Sequence, residues 1–126
     1  MAPADDVDLW FYKEGDVRVA YDEFQRVRKG NSIKAARLLG RLLEVATTAD
    51  PLREAWPDRC GGDDDPLHLF DVDPYGVFYA VGRSEGGDVW RVEALLFGNI
   101  VGRYDDEWRE AARRLRKAHT APEGRP

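Results

Sequence analysis

The sequence predicts a small α+β domain with the element order β-α-α-β-β-β-α. Two neighbouring segments near the N-terminus carry apolar residues at helical spacing, whereas residues 67 to 97 carry compact or alternating apolar runs separated by turn sequences. A chain of 126 residues is long enough to bury one core. We therefore expect one small, twisted, mainly antiparallel sheet, with an N-terminal helical hairpin on one face and a C-terminal helix.

The first half of the chain predicts a strand followed by two helices. Asp8 to Lys13 is short and aromatic, which is typical of a strand. Asp16 is placed to cap a first helix that Gly30 ends, and Ser32 starts a second helix that Asp50-Pro51 ends. The predicted apolar face of the first helix comprises Val17, Ala20, Tyr21, Phe24 and Val27. The predicted apolar face of the second comprises Ile33, Ala36, Leu39, Leu42, Leu43 and Ala46.

The second half predicts three antiparallel strands and a closing helix. The strands are Leu67 to Val72, Gly76 to Gly82 and Val89 to Phe97, joined as a meander by two turn sequences. An acidic opening at residues 105 to 107 favours a helix N-terminus. The apolar face of that helix comprises Trp108, Ala111, Ala112 and Leu115.

The domain is expected to cover residues 8 to 118, with flexible termini at residues 1 to 7 and 119 to 126. No stretch is apolar and long enough for a transmembrane helix, so we expect no contact with a membrane and a cytoplasmic location. The single cysteine, Cys60, has no partner for an internal disulfide, and we interpret it as an incidental thiol. The acidic run Asp63 to Asp65 lacks the ligand spacing of an EF-hand, so no metal or cofactor is predicted.

Charge is unevenly distributed along the sequence. The net charge of -5 argues against broad attraction to nucleic acid, which depends on neutralising phosphates. Basic residues nevertheless concentrate between Arg26 and Arg41 and between Arg103 and Lys117. Solvated helix faces explain both clusters, and local binding patches remain an alternative.

Several segments resemble the RelE/ParE toxin superfamily in sequence and in order. Leu67 to Phe70 followed by Tyr75 to Val81 is similar to the central strand pair of that family. Residues 92 to 97 are similar to its next strand, and residues 106 to 113 are similar to its closing helix. The resemblance spans roughly residues 8 to 117 and rests on apolar patterns.

The resemblance implies a toxin that is neutralised by a small antitoxin protein. Members of the family cleave messenger RNA on the ribosome or poison DNA gyrase, and RNA cleavage requires groups that move protons and cations that stabilise the phosphorane. This sequence departs from the family at three basic positions. It has Gly76 after the aromatic residue of the central strand, Phe70-Asp71 in the preceding strand and Gly98-Asn99 after the last core strand.

Four residues are candidates to replace the missing catalytic groups. They are Arg83 and Arg91, around the second turn, and Arg103 and Tyr104, before the last helix. His68, Tyr75 and Tyr79 are weaker candidates, because strand residues of these types more often serve packing. We expect His68 to be half-exposed.

Three hypotheses for function follow. The first is a toxin of a type II toxin-antitoxin pair that inhibits translation by ribosome-dependent cleavage of messenger RNA, or inhibits gyrase. Its expected partners are an antitoxin and, for RNA cleavage, the ribosome and messenger RNA. The second is a non-catalytic binding or regulatory domain of the same fold, motivated by the missing cations. The third is a small-molecule site lined by Trp10, Trp56, Trp90 or Trp108. A strand edge at residues 8 to 13 or 89 to 97 would accept a partner strand or build a homo-oligomer.

Overall fold

The computed structural model describes residues 7–47, 67–83, 90–100 and 104–120. These residues form the predicted α+β arrangement and the predicted order of elements. The strands are β1 (Val7–Phe11), β2 (Leu67–Val72), β3 (Tyr75–Arg83) and β4 (Trp90–Asn99). The helices are α1 (Val19–Gly30), α2 (Ser32–Ala46) and α3 (Tyr104–Thr120). The predictions for the chain termini, for Cys60 and for Asp63 to Asp65 lie outside the described residues.

The four strands form one sheet in the order β1-β4-β3-β2. β2, β3 and β4 pair antiparallel as the predicted meander, and β1 pairs parallel to β4. The sheet is therefore mainly antiparallel, as expected. The prediction that residues 89 to 97 form a strand edge is wrong, because β4 lies between β1 and β3. Among the described strands, the edges are β1 and β2.

The hydrophobic core lies on both sides of β3. Residues 77 to 81 are all buried, and successive side chains of a strand point to opposite faces, so both faces of the sheet are covered. On one face the Phe97 ring of β4 lies 5.9 Å from Phe11 of β1 and 5.2 Å from Phe24 of α1. α2 contacts all four strands, and α3 contacts β2, β3 and β4.

Helix α1 begins later than its sequence predicts. Asp16 does not cap it; the residue before the helix is Arg18, whose side chain makes no capping bond. Residues 14 and 17 instead form a small antiparallel bridge around Gly15, whose φ of 58° is accessible to glycine at little cost. Val17, predicted to be buried, is consequently 60 % exposed, whereas Ala20, Phe24 and Val27 are buried as expected.

Helix α2 is rotated relative to its predicted orientation. The residues that it buries are Ala35, Leu38, Leu42, Val45 and Ala46. Ile33 and Leu43, assigned to the core from their spacing, are 67 % and 42 % exposed. The helix has apolar residues on both sides, so the helical period alone did not determine which side faces the sheet. It also ends at Ala46, before the predicted stop at Asp50-Pro51.

Beside the end of β4, where β1 no longer pairs with it, a buried ion pair binds the β4 backbone. β1 ends at Phe11, and the Tyr12 N–H makes the next bond, to Ala94 O at 2.8 Å. Beyond it, Leu95 O accepts a 2.7 Å hydrogen bond from Arg114 of α3. The Phe97 N–H donates to the Glu23 carboxylate of α1 at 3.3 Å.

Glu23 and Arg114 also bind each other through two contacts of 2.7 Å, and each residue is 7 % exposed. The pair therefore satisfies backbone groups of β4 that would otherwise be buried without partners. It joins α1, α3 and the sheet at one point.

Candidate functional site

The four predicted catalytic residues are only partly described by the structure. Arg83 is the last residue of β3, where its backbone pairs with Trp90. Tyr104 is the first residue of α3, and Arg103 lies outside the described residues. Arg91 is the one candidate of the four whose side chain is described. The convergence of these residues on one catalytic surface therefore stays a prediction.

The charge of Arg91 is already engaged within the sheet. Its Nη2 lies 3.2 Å from Glu93 Oε2, and the two side chains are only 17 % and 10 % exposed. Its guanidinium also lies 4.1 Å from the centre of the Trp10 ring, a cation–π contact. Arg91 thus holds β4 to β1, and a phosphate would have to compete with the Glu93 carboxylate for it.

The histidine and tyrosine candidates on the strands belong to the core. His68 is 4 % exposed, so the expectation of a half-exposed side chain is wrong. Its ring stacks on Tyr79 at 5.4 Å, and Tyr79 is fully buried. Tyr75 is partly buried, with its hydroxyl next to Gly30 of α1. The interpretation of these aromatic residues as packing residues agrees with this burial.

The space above Gly76 is filled. A Cβ atom at this position would overlap the side chain of Ile100 and would come within 3.2 Å of Phe70 O. Ile100 itself is 5 % exposed. Gly76 is the position at which the resemblance to RNA-cleaving toxins implies an arginine. An arginine at this position would require the Ile100 side chain to move.

A different feature, an open cavity beside β1, brings polar and apolar groups together. The cavity has a volume of about 420 Å³ and lies between β1 and the start of α1. Its lining consists of Leu9, Trp10, Phe11, Lys13, Arg18 and Tyr21. We call this site the edge groove. It is mostly apolar, with two cations at its rim.

The edge groove runs along backbone groups that do not pair with β4. In a parallel pair, alternate residues of a strand direct their N–H and C=O groups to the same neighbour. Tyr12 bonds to β4, so the residue two positions earlier, Trp10, also faces β4. The backbone groups of Leu9 and Phe11 therefore point away from the sheet, toward the side on which no described strand lies.

Aromatic contacts hold the groove in shape. Tyr21 of α1 packs edge-on against Phe11 with 6.0 Å between ring centres, and the guanidinium of Arg18 lies 4.5 Å from the centre of the Tyr21 ring. Phe11 and Tyr21 are partly exposed, and their contact joins α1 to β1. The groove is thus largely formed before anything binds to it.

One acid next to the groove along the chain, Glu14, is paired with cations of α3. Its carboxylate lies 3.3 Å from Arg113 and 3.5 Å from Lys117, both on α3. Partial burial acts to raise the pKa of Glu14, but the hydrogen bond from Arg113 and the charge of Lys117 outweigh it, and the pKa is lowered. Glu14 is therefore charged near neutral pH and paired with α3. Its carboxylate is therefore directed to α3 and not to the groove cations Lys13 and Arg18.

Sequence reasoning found part of this groove. The sequence predicts the aromatic strand at residues 8 to 13, its edge as one of two candidate docking edges, and Trp10 as one of four candidate pocket residues. Arg18 and Tyr21 were not identified, because Tyr21 was assigned to the buried face of α1. The signal that could have suggested them is their spacing of three at the start of the helix that follows the edge strand.

The described residues contain no group of three or more His, Cys, Asp or Glu side chains that could hold a metal ion. None of the described helices is long and apolar enough to cross a membrane.

Comparison with known proteins found no matching family model, no matching curated protein and no matching solved structure. The resemblance to the RelE/ParE superfamily therefore rests on the sequence patterns and on the order of elements alone.

Proposed function

We propose that this chain is a protein-binding domain whose edge groove accepts an extended peptide segment as an additional strand beside β1. The observation that carries the proposal is the coincidence of outward backbone groups at Leu9 and Phe11 with an apolar cavity of about 420 Å³. Backbone hydrogen bonds would supply affinity, and the cavity would select side chains of the segment.

The chemistry of the rim suggests which segments bind. Alternate residues of an added strand point to the same side, so every second side chain could enter the cavity. Leu9, Phe11 and Tyr21 favour an apolar or aromatic side chain there, and Lys13 and Arg18 favour a carboxylate beside it. We expect a segment in which large apolar residues alternate with polar ones, near at least one acid.

Selection from a displayed library of random 12-residue peptides tests this proposal. Enriched peptides should show that alternating pattern and should bind at least tenfold more weakly to an Arg18→Glu variant. They should also lose binding to Leu9→Pro, because proline removes an outward N–H but is tolerated on an edge strand. Arg109→Glu, an exposed change on α3, serves as the control. Peptides that bind Leu9→Pro as well as the unchanged chain would contradict strand addition.

A toxin of a type II toxin-antitoxin pair is a second candidate function. The element order and the basic segment from Arg26 to Arg41 favour it, and an antitoxin would then be the natural source of the extended segment. Titration of the chain into a bacterial cell-free translation reaction, with messenger RNA length followed in parallel, tests it. Codon-spaced RNA fragments would support cleavage and call for single replacements of Arg83, Arg91, Arg103 and Tyr104. Intact RNA and undiminished synthesis at excess protein would exclude ribosome-dependent cleavage.

A further inference from the structure

The outer side of α2 carries an apolar stripe that no described helix or strand covers. Ile33, Ala36, Gly40 and Leu43 follow one another at helical spacing and are all exposed, with exposed fractions of 67 % for Ile33 and 42 % for Leu43. At 1.5 Å per residue the stripe is roughly 15 Å long. We call it the α2 stripe. It lies on a helix whose opposite side already packs on the sheet.

Among the described residues, no contact requires a glycine at Gly40, in the middle of the stripe. A Cβ atom at this position would meet no atom within 4 Å, and the backbone has an ordinary helical conformation. Glycine inside a helix destabilises it relative to alanine, so a glycine here is costly without a compensating contact. A compensating contact is available if another backbone approaches closely at this point.

The charges beside the stripe are positive. Residues 26 to 41 contain six basic side chains and no acidic one, although the whole chain has a net charge of -5. On α2, Arg37 and Arg41 are exposed next to the stripe, and Arg37 forms no ion pair with any residue that the structure describes. Arg26, Arg28 and Lys29 are exposed on the neighbouring α1. Glu44 is the one acid exposed on α2, 3.8 Å from Arg41.

We propose that the α2 stripe binds an acidic amphipathic helix of a partner protein, whose backbone crosses α2 at Gly40. Its apolar side would cover Ile33 and Leu43, and its acidic flanks would pair with Arg37 and Arg41. A second copy of this chain fits less well, because a self-pair would bring four arginines together with only two glutamates. A nucleic acid would use the cations but would gain little from Ile33 and Leu43. The stripe is separate from the edge groove, so either proposal can fail alone.

The probe for this proposal is a displayed library of 21-residue helices. Each has leucine and alanine fixed along one side, and each flanking position is randomised between glutamate and lysine. Selection on the unchanged chain should enrich glutamate at the flanks. The selected helices should bind Arg37→Glu and Gly40→Leu at least tenfold more weakly, and Arg109→Glu and Leu9→Pro as tightly as the unchanged chain.

Gly40→Leu distinguishes lost contact from lost folding. Because the site is open and leucine favours helix, this variant should unfold at a higher temperature than the unchanged chain while it loses the probe. The proposal would be overturned if lysine were enriched at the flanks or if neither residue were enriched. Equal binding of the selected helices to Gly40→Leu and to the unchanged chain would also overturn it. So would a dimer in sedimentation equilibrium that Gly40→Leu dissociates, or tight binding of single-stranded RNA that Arg37→Glu removes and Gly40→Leu leaves intact.

Discussion

At Gly76 the side chain of Ile100 occupies the space that a Cβ atom would need, and Phe70 O closes the other side. The contact joins β3 to the residue that follows β4 and leaves the sheet surface apolar at this point. A basic side chain could enter only if Ile100 moved out of the core. The packing of Ile100 over Gly76 is therefore the physical reason that a glycine, and not a basic residue, suits this position.

We predict that Gly76→Ala destabilises the chain by about 1–3 kcal/mol, which is the usual cost of overpacking a core. Gly98→Ala is the matched control, because Gly98 is also in a strand but a Cβ atom there meets nothing within 4 Å. Urea unfolding of the two variants measures the difference. Equal stability of the two variants would show that Ile100 adjusts at little cost.

A second prediction concerns the neighbouring arginines of α3. Arg114→Met should cost about 3–5 kcal/mol, because it leaves the buried Glu23 carboxylate without its partner. Arg113→Met should cost about 1 kcal/mol or less, because Arg113 is 48 % exposed and its ion pairs are screened by water. Chemical denaturation of both variants checks this contrast, and similar losses would contradict a buried pair as the source of the stability.

At the scale of elements, β1 is held from one side by β4 and from above by α1. Leu9, Trp10 and Phe11 are partly exposed, so a partner strand could contact β1 at its outer edge. α2 shows the same principle for a helix, with one side packed on the sheet and Ile33 and Leu43 on the other. Both elements place apolar surface where a second protein could cover it.

Hydrogen exchange should reveal the two sides of β1 in the free chain. The amides of Trp10 and Tyr12 point to β4 and should exchange slowly, whereas those of Leu9 and Phe11 point away and should exchange much faster. Residue-resolved exchange measured by NMR gives the comparison. A bound peptide should then slow Leu9 and Phe11 selectively. Uniform protection along β1 in the free chain would mean that its outer edge is already covered.

At the scale of the whole molecule, charges connect the two ends of the described chain. Glu14, just after β1, is bound by Arg113 and Lys117 of α3, and Glu110 is bound by Arg113 and Arg114. The hydrogen bond from Arg113 lowers the pKa of Glu110 and outweighs partial burial, and the pKa of Glu14 is lowered as well. This cluster fastens the C-terminal helix beside the edge groove.

The lowered pKa values predict how acid weakens the fold. Each carboxyl has a lower pKa in the folded chain than its ordinary value of 4.5, so it stabilises the folded state above that pH. The stabilisation is lost as pH falls below about 4.5 through the lower folded values. Relative to a Glu14→Gln, Glu110→Gln double variant, the unchanged chain should be more stable at pH 7 and lose that advantage toward pH 3. Denaturation measured across this range tests the prediction, and a constant difference would contradict it.

The sequence by itself determined the fold class and the order of the elements. The signals were helical spacing, the change to alternating runs after residue 67 and the turn residues between these runs. They are local, so they can be interpreted without knowledge of distant contacts. Asp105 to Glu107 correctly marked the first turn of α3, and Gly30 correctly ended α1. The aromatic run at residues 10 to 12 was enough to suggest a strand, with its edge as one of two candidate docking edges.

Only the tertiary structure decided which surfaces are buried and which remain available. The parallel pairing of β1 with β4 moved β4 to the inside of the sheet, and the docking of α2 turned Ile33 and Leu43 outward. Glu23 and Arg114 lie 91 positions apart, and no periodicity along the chain relates them. Strand pairing, the rotation of a helix and the burial of charges depend on contacts between distant segments. The edge groove and the α2 stripe could therefore be located only from the tertiary structure.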